Sequence, residues 1–447
     1  MIAEIFNFKK ILPMLVLAGL LLTIGSVCYE WNHSYTKNAL FNNMLEFNKI
    51  GLAFTASMCF VVLLWFMMAG KYLNEETPVT DHYALILFSL AGAIIMTAFS
   101  NLTMLFLGIE ILSIPLYVLA GSRKTDIFSN EAAMKYFMMG AFASGFLLFG
   151  IALTYGATGS FNIVQISDYV TAHFEDPMPA FFYAGVILLI IGLAFKISAV
   201  PFHFWAPDVY QGSPNVVTAF MSTIVKTAAF AAFYRLFSSC FGMMDETWGM
   251  LLWVLAAVTL LLGNITAVSQ TSFKRMLAYS SIAHAGYLLL AILSLGNYSA
   301  TAILFYTLAY SIATISAFTV LNYVAKGNDD SLDNFNGLMK RNPLLAFALT
   351  VAMLSLAGIP PTAGFFAKYS VFTAAIFKGY TWLVIIAVVA SLIGVYYYFK
   401  VIIASYCKES NEPAIEVSTT HKIVLIITTL ITILLGVLPN YILNLFS

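Results

Sequence analysis

The sequence predicts an all-α polytopic membrane protein, and three observations carry that reading. Of 447 residues, 61% are hydrophobic and 9% charged, where a soluble domain carries about a quarter charged residues. Apolar runs of about 20 residues, enough to cross a hydrocarbon core of about 30 Å, recur along the whole chain. Lysine and arginine gather in alternate connections between those runs, the pattern that fixes orientation in a bilayer.

The runs lie near 11–30, 48–70, 82–99, 101–121, 131–157, 180–211, 214–238, 248–269, 275–296, 300–325, 343–378, 380–406 and 422–444. One crossing each makes about 13 transmembrane helices. The first run follows Lys9 and Lys10 but has no small-residue cleavage site, and Cys28-Tyr29-Glu30 comes after it. It reads as a retained helix rather than a signal peptide. One face collects Lys9, Lys10, Lys71, Arg123, Lys124, Lys274, Arg275, Lys326, Lys340, Arg341, Lys408 and Lys422. The other has Lys37 and Lys49, with Arg235 and Lys378 near helix ends. The long connection 158–179 holds Asp168, Glu175 and Asp176 but no base. The N-terminus is therefore expected on the cytoplasmic face and the C-terminus on the opposite one.

Two runs exceed one straight helix. Segment 180–211 contains Pro201 and Pro207, and segment 343–378 contains Gly358, Pro360, Pro361 and Gly364. Proline removes a backbone donor and clashes with the preceding turn. Splitting 343–378 into a hairpin would carry Lys408 and Lys422 to the base-poor face, so single broken spans are expected. Such breaks persist in a membrane where the freed carbonyls face protein or water. Their occurrence in both halves is the sequence sign of an inverted-repeat transporter.

A charge at the bilayer centre costs roughly 2.5–3.5 kcal/mol on insertion scales, so charges inside spans single themselves out. Among the acids, Glu110 lies midway along its run, in FLGIEILSIP. Among the bases, Lys135, Lys196, Lys226, Lys368 and Lys400 lie within runs, with His203 and His284 in or beside them. Lys196 precedes Pro201 by five residues, and Lys368 follows Pro361 by seven. Each lysine has a plain alternative, reaching the interface with its stem along apolar surface. That alternative weighs most for Lys135 and Lys400, nearer helix ends. A packing role is the alternative for His203 and His284, and a protonated, hydrogen-bonded carboxyl for Glu110. Taken together, one acid and several bases suit a proton relay better than a site for a bulky solute.

The composition excludes a secreted disulfide scaffold, a disordered chain and a nucleic-acid binder. Cys28, Cys59, Cys240 and Cys407 lie far apart, without the CxxC spacing of zinc or iron–sulfur ligation. No Gly-rich phosphate loop or paired histidine ligands occur, so no cofactor is expected on this chain and no metal.

The residues quoted sit in FLGIEILSIPLYVLAG, EAAMKYFMMGAFASGFLLFG, KISAVPFHFWAPDVYQGSP, KRMLAYSSIAHAGYLLLAI and LAGIPPTAGFFAKYSVF. These five stretches, in this order and within about residues 82 to 444, resemble the antiporter-like membrane subunits of respiratory complex I. The resemblance implies two peripheral N-terminal helices over 1–81, two inverted five-helix repeats over 82–240 and 241–407, and a C-terminal helix over 408–447. It implies a Glu110–Lys196 charge pair, Lys226 as the connecting lysine, His284 on the second-half relay helix and Lys368 toward the exit. Lys135, His203 and Lys400 are accessory candidates; Pro201, Pro360 and Pro361 mark the breaks. It further implies a bacterial inner membrane, and neighbours of the antiporter-like M and small K/J types. FMN, iron–sulfur clusters and quinone would sit on partner subunits. Members usually carry 14 spans with an outside N-terminus, and this sequence departs from that. A subunit of a multi-subunit cation/proton antiporter, or a mainly structural membrane-arm subunit, are the competing readings.

Overall fold

The computed structural model describes residues 11–33, 39–75, 79–173, 178–327, 329–410 and 412–445. Lys9, Lys10, Lys37, Glu175 and Asp176 lie outside the described residues, as does the side chain of Lys71. The apolar runs fold as the hydropathy dictates. Helices α1 (Leu12–His33), α2 (Lys49–Glu75), α3 (Val79–Ala98), α4 (Leu102–Ala120) and α5 (Ile127–Thr158) come in order. A two-residue antiparallel pair, β1 (Ala39–Leu40) with β2 (Leu45–Glu46), joins α1 to α2.

Connection 158–179 is more than a loop. Asn162 caps a short helix, α6 (Ile163–Ala172), by accepting from Val164 N at 2.9 Å. Ile163, Ile166 and Val170 form its buried stripe, a helical spacing in a segment otherwise read by its acids.

The first broken span is α7 (Ala180–Ile197), a turn, then α8 (Trp205–Gly212). Helix α9 (Asn215–Phe220) continues through a π-helical turn, Met221–Val225, into α10 (Lys226–Cys240). Then come α11 (Asp245–Val268), α12 (Phe273–Leu293), α13 (Asn297–Val324) and the short α14 (Leu338–Arg341). The second broken span is α15 (Pro343–Ala357) and α16 (Ala363–Phe377). Helices α17 (Thr381–Cys407), α18 (Thr419–Val437) and α19 (Asn440–Leu443) complete the chain.

Twelve of the described helices are long and apolar enough to cross a bilayer, while α15 and α16 are each shorter. Each broken run folds as two shorter helices joined by a turn. Asp208 in the first turn of α8 pairs with Arg275 at 2.8 Å. Arg341 before α15 pairs with Glu412 at 2.7 Å. Tyr380 after α16 instead shares a recess with Asp245 and Glu246 at the other end of the bundle. The bases thus mark one face. On the opposite face Arg235 is buried, donating to the carbonyls of Phe99 at 2.6 Å, Thr97 at 3.1 Å and Glu46 at 2.9 Å. A guanidinium with its donors satisfied by carbonyls is anchored rather than free.

The core lies along three elements. Over its most apolar 18 residues the 215–240 segment is wholly buried and α12 and α13 are 94% buried, against 17% for α1. A lipid-facing helix needs no polar partners, whereas these three present their polar side chains to one another. The charges singled out by sequence fall on or beside this core.

Candidate functional site

Each broken span is built the same way at its first half. Helix α7 ends on Ser198 in a left-handed conformation (φ 61°), whose N–H reaches Phe195 O at 3.0 Å while Ala199 N reaches Ala194 O at 2.8 Å. Helix α15 ends on Gly358 (φ 83°), with Gly358 N to Ser355 O and Ile359 N to Leu354 O, each 3.0 Å. Both are the paired closing bonds of a left-handed helix end. In each, a cis X-Pro bond follows three residues after the cap, at Val200-Pro201 and Pro360-Pro361.

The lysines meet these breaks from opposite sides. Lys196 is the penultimate residue of α7, and its ammonium donates to Ser113 Oγ on α4. Lys368 is on α16, past its break, and reaches back to Ala357 O at 2.7 Å and to Ser391 Oγ at 2.8 Å. Its ammonium also lies 4.8 Å from the Tyr287 ring centroid. A half-helix C-terminus carries partial negative charge and favours a cation. Lys196 sits on that end and Lys368 touches it.

Glu110 is half-buried on α4, one turn before Ser113, and accepts from Ser144 Oγ on α5. Glu110 and Lys196 share no direct ion pair among the described residues; each bonds a separate serine. Ser113, whose own hydroxyl donates to Ile109 O, stands as the lysine's acceptor instead.

Lys226 comes directly after the π-helical turn and donates to Ser281 O on α12. A π turn shifts the helical register of the residues beyond it, here at the residue that links the two halves. His284, one turn beyond Ser281, bonds through Nδ1 to Tyr306 Oη at 2.7 Å and through Nε2 to Tyr398 Oη at 3.1 Å. Lys226 and Lys368 both lie near enough to act electrostatically on that ring. Lys196, Lys226, His284 and Lys368 are each 6% exposed or less. Burying a cation costs several kcal/mol unless partners replace its water. The partners here are hydroxyls and carbonyls, which stabilise a proton without trapping it in an ion pair.

The accessory candidates stand apart. Lys135 is 40% exposed and bridges Glu131 at 2.6 Å and Asp208 at 2.7 Å at the basic face. Lys400 donates to Gln270 O at 3.4 Å on the same face. His203 is buried in the turn after Pro201 rather than on a helix, and its Nδ1 has no hydrogen-bond partner. Lys274, counted among the loop bases, is buried, its ammonium 3.0 Å from Ser213 O. With Arg123, Lys135 and Arg275 it lines a cavity of about 330 Å³ beside α8 that also receives Asp126, Glu131 and Asp208.

Sequence reasoning missed the neutral half of the site. Ser113, Ser144, Tyr306, Tyr398, Ser391 and the π turn carried no signal. Among 24 tyrosines no spacing sorts a hydrogen-bonded phenol from a packing one.

A profile of the NADH:quinone oxidoreductase/Mrp antiporter transmembrane family matches residues 100–394, which takes in both breaks and every buried cation of the site. NADH-quinone oxidoreductase subunit N of Cytophaga hutchinsonii is 44% identical, over 99% of this chain and 96% of its own. The subunit N of Flavobacterium psychrophilum is 42% identical, over 100% and 97%. Among solved structures, a chain of respiratory complex I from Thermus thermophilus with bound aureothin superposes with a TM-score of 0.83 at 33% identity. It covers 98% of this chain and 94% of that one. A chain of the Mrp complex from Dietzia sp. shares the fold, with a TM-score of 0.87 at 22% identity over 99% and 92%. With the profile spanning both breaks and full-length relatives above 40% identity, the chain belongs to the NADH:quinone oxidoreductase/Mrp antiporter transmembrane family.

Proposed function

We propose that this chain is a proton-translocating membrane subunit of respiratory complex I, moving protons while NADH:quinone electron transfer proceeds on other subunits. The observation that carries the reading is the buried series Lys196, Lys226, His284 and Lys368, each held by neutral partners in an otherwise apolar bundle. In this reading an ionised Glu110, one turn from the Ser113 acceptor of Lys196, stabilises the protonated lysine. When that influence weakens, the lysine's proton affinity falls and the proton passes toward Lys226, His284 and Lys368. Each handover changes the charge next to its neighbour, so the groups titrate together. Moving one charge against 100 mV requires about 2.3 kcal/mol, within reach of a few charge interactions at low dielectric.

In this reading residues 82–240 and 241–407 are the inverted repeats, flanked by 1–81 and 408–447. The chain takes no part in redox chemistry; FMN, iron–sulfur clusters and quinone belong to partner subunits. Neighbouring membrane-arm subunits of the antiporter-like M and small K/J types pack against it in the bacterial inner membrane. The basic face is cytoplasmic. The names of the full-length relatives favour complex I over a cation/proton antiporter, whose likeness rests on fold.

The test replaces Glu110 with Gln, or Lys196 with Ala, in the assembled complex and measures NADH oxidation together with proton uptake. A drop in proton uptake per NADH with normal assembly on native gels is expected. Normal pumping in both variants overturns the relay. Failed assembly with normal pumping in the fraction that does assemble turns the reading toward a structural subunit.

A further inference from the structure

We propose that Tyr398 and Tyr306 transfer protons to and from His284, forming with Ser280 a hydroxyl branch that enters the site from the basic face. The inference rests on the relay reading and adds a route that crosses the lysine series at the histidine.

Both ring nitrogens of His284 are bonded to phenols, Nε2 to Tyr398 and Nδ1 to Tyr306. Tyr398 Oη in turn bonds Ser280 Oγ, one helical turn before His284 on the same face of α12. A neutral imidazole offers one donor and one acceptor. One phenol must therefore donate to the ring while the other accepts, and the direction of the two O–H bonds is locked to the tautomer.

Ser280 lies one helical turn nearer the basic face than His284 on α12. Ser280 is seven residues and His284 eleven from the start of α12 at Phe273. Tyr398 is nine residues from the basic-face end of α17 at Cys407, and Tyr306 eighteen from that end of α13 at Val324. At about 1.5 Å per residue, Tyr398 and His284 lie at mid-depth, and Tyr306 is level with His284, each nine residues from the opposite-face end of its helix, Asn297 and Leu293. Beside His284 and Tyr306 is a cavity of about 10 Å³, bounded also by Tyr310, Ser355, Leu356, Gly364 and Ala367. That is about the space of one water, and it opens on the second helix break.

The proton balance closes. A proton arriving at Tyr398 Oη releases the phenol's own proton to Nε2. The Nδ1 proton passes to Tyr306 Oη, whose original proton leaves toward the cavity at the break. One proton enters and one leaves, and no charge remains on the ring. Rotation of the two phenol O–H bonds and a flip of the imidazole ring, which breaks its two hydrogen bonds and turns the protonated nitrogen toward Tyr306, reset the segment without carrying a proton back. Lys226 bonds Ser281 O, one turn before His284 on α12, so its charge state biases whether His284 accepts.

The test uses the assembled complex in inverted membrane vesicles, with Tyr398→Phe, Tyr306→Phe and Ser280→Ala. Tyr396→Phe, two residues from Tyr398 and exposed on the bundle surface, is the control. Native gels, NADH oxidation, proton uptake and its pH profile are read for each. The branch predicts at least a fivefold loss of proton uptake for Tyr398→Phe and Tyr306→Phe, with a pH profile displaced from that of the parent. Ser280→Ala is expected to lose at least twofold, and Tyr396→Phe nothing. Parental uptake and pH profile in the assembled phenylalanine variants overturn the proposal. Should those variants fail to assemble, parental uptake in Ser280→Ala overturns it. His284→Ala and Lys226→Ala separate the two levels. Loss there with parental uptake in the tyrosine variants refutes the branch alone, and parental uptake in all of them refutes the relay itself.

Discussion

The two broken spans share a helix ending and differ in how the break is held. At the second break, backbone packs on backbone. A Cβ on Gly364 would sit 1.7 Å from Ser355 O, and one on Gly436 of α18 would sit 2.0 Å from Pro361 O. At the first break, side chains do the holding. Thr259 on α11 accepts from Val200 N at 2.9 Å, and Trp205 Nε1 donates to Phe195 O at 3.2 Å. Trp205 stacks on Tyr136 at 4.8 Å and on Phe195 at 5.3 Å. Ser198 Oγ and His203 Nδ1 are left there without hydrogen-bond partners. A break fixed by steric contact has little room to change, whereas one fixed by hydrogen bonds and carrying spare polar atoms can exchange partners. The first break, next to Glu110 and Lys196, is the adjustable one, and the second fixes Lys368 against its acceptors.

The largest expected effect is at the rigid break. Gly364→Ala forces a methyl into Ser355 O and costs about 3 kcal/mol, the upper range for overpacking, seen as a lower melting temperature of the detergent-solubilised complex. Thr259→Val tests the first break. It strips Val200 N–H of its acceptor while keeping the shape, with an expected loss of about 1–3 kcal/mol. An unchanged melting temperature would mean that the hydrogen bond does not hold this break. Ser198→Gly is expected to stabilise slightly, by about 0.5–1 kcal/mol. Relief of the left-handed Cβ outweighs the extra freedom glycine gives the unfolded chain. Destabilisation instead would show that the Ser198 hydroxyl has a partner in the native complex.

The smallest effect lies outside the membrane. The hydrogen bond from Lys326, with the nearby charge of Arg341, holds the Glu412 carboxyl below its ordinary value of 4.5. The ionised carboxylate's hold on the 408–418 connection is complete above that pH and fades as pH falls through the lowered value. Being largely exposed, the pair contributes little. Hydrogen exchange of 408–418 should rise modestly below pH 4.5 in the parent and show no such step in Glu412→Gln.

The spans were legible because a bilayer demands about 20 apolar residues per crossing, and the breaks because proline cannot donate. Glu110, Lys196, Lys226 and Lys368 stood out for the energy a charge requires in hydrocarbon. The features hidden from sequence were neutral. A serine such as Ser113 or Ser144 is inexpensive in a helix, and its role depends on which helix faces it. Ser113, one turn along α4, meets the lysine while Glu110 turns to Ser144 on α5. Lys274 read as a loop base because it adjoins Arg275, yet the fold turns it inward to Ser213. The π turn before Lys226 depends on how the segment is packed, with every residue of 221–225 buried, and no residue pattern announces it.

The relay stands or falls on Lys226, the buried ammonium that joins α10 to α12 and through which protons would pass between the halves. The deciding quantity is the number of protons taken up per NADH oxidised by assembled Lys226→Ala complex in inverted vesicles. A ratio clearly below that of the parent, with assembly intact on native gels, is expected. A parental ratio in fully assembled variant complex would contradict it.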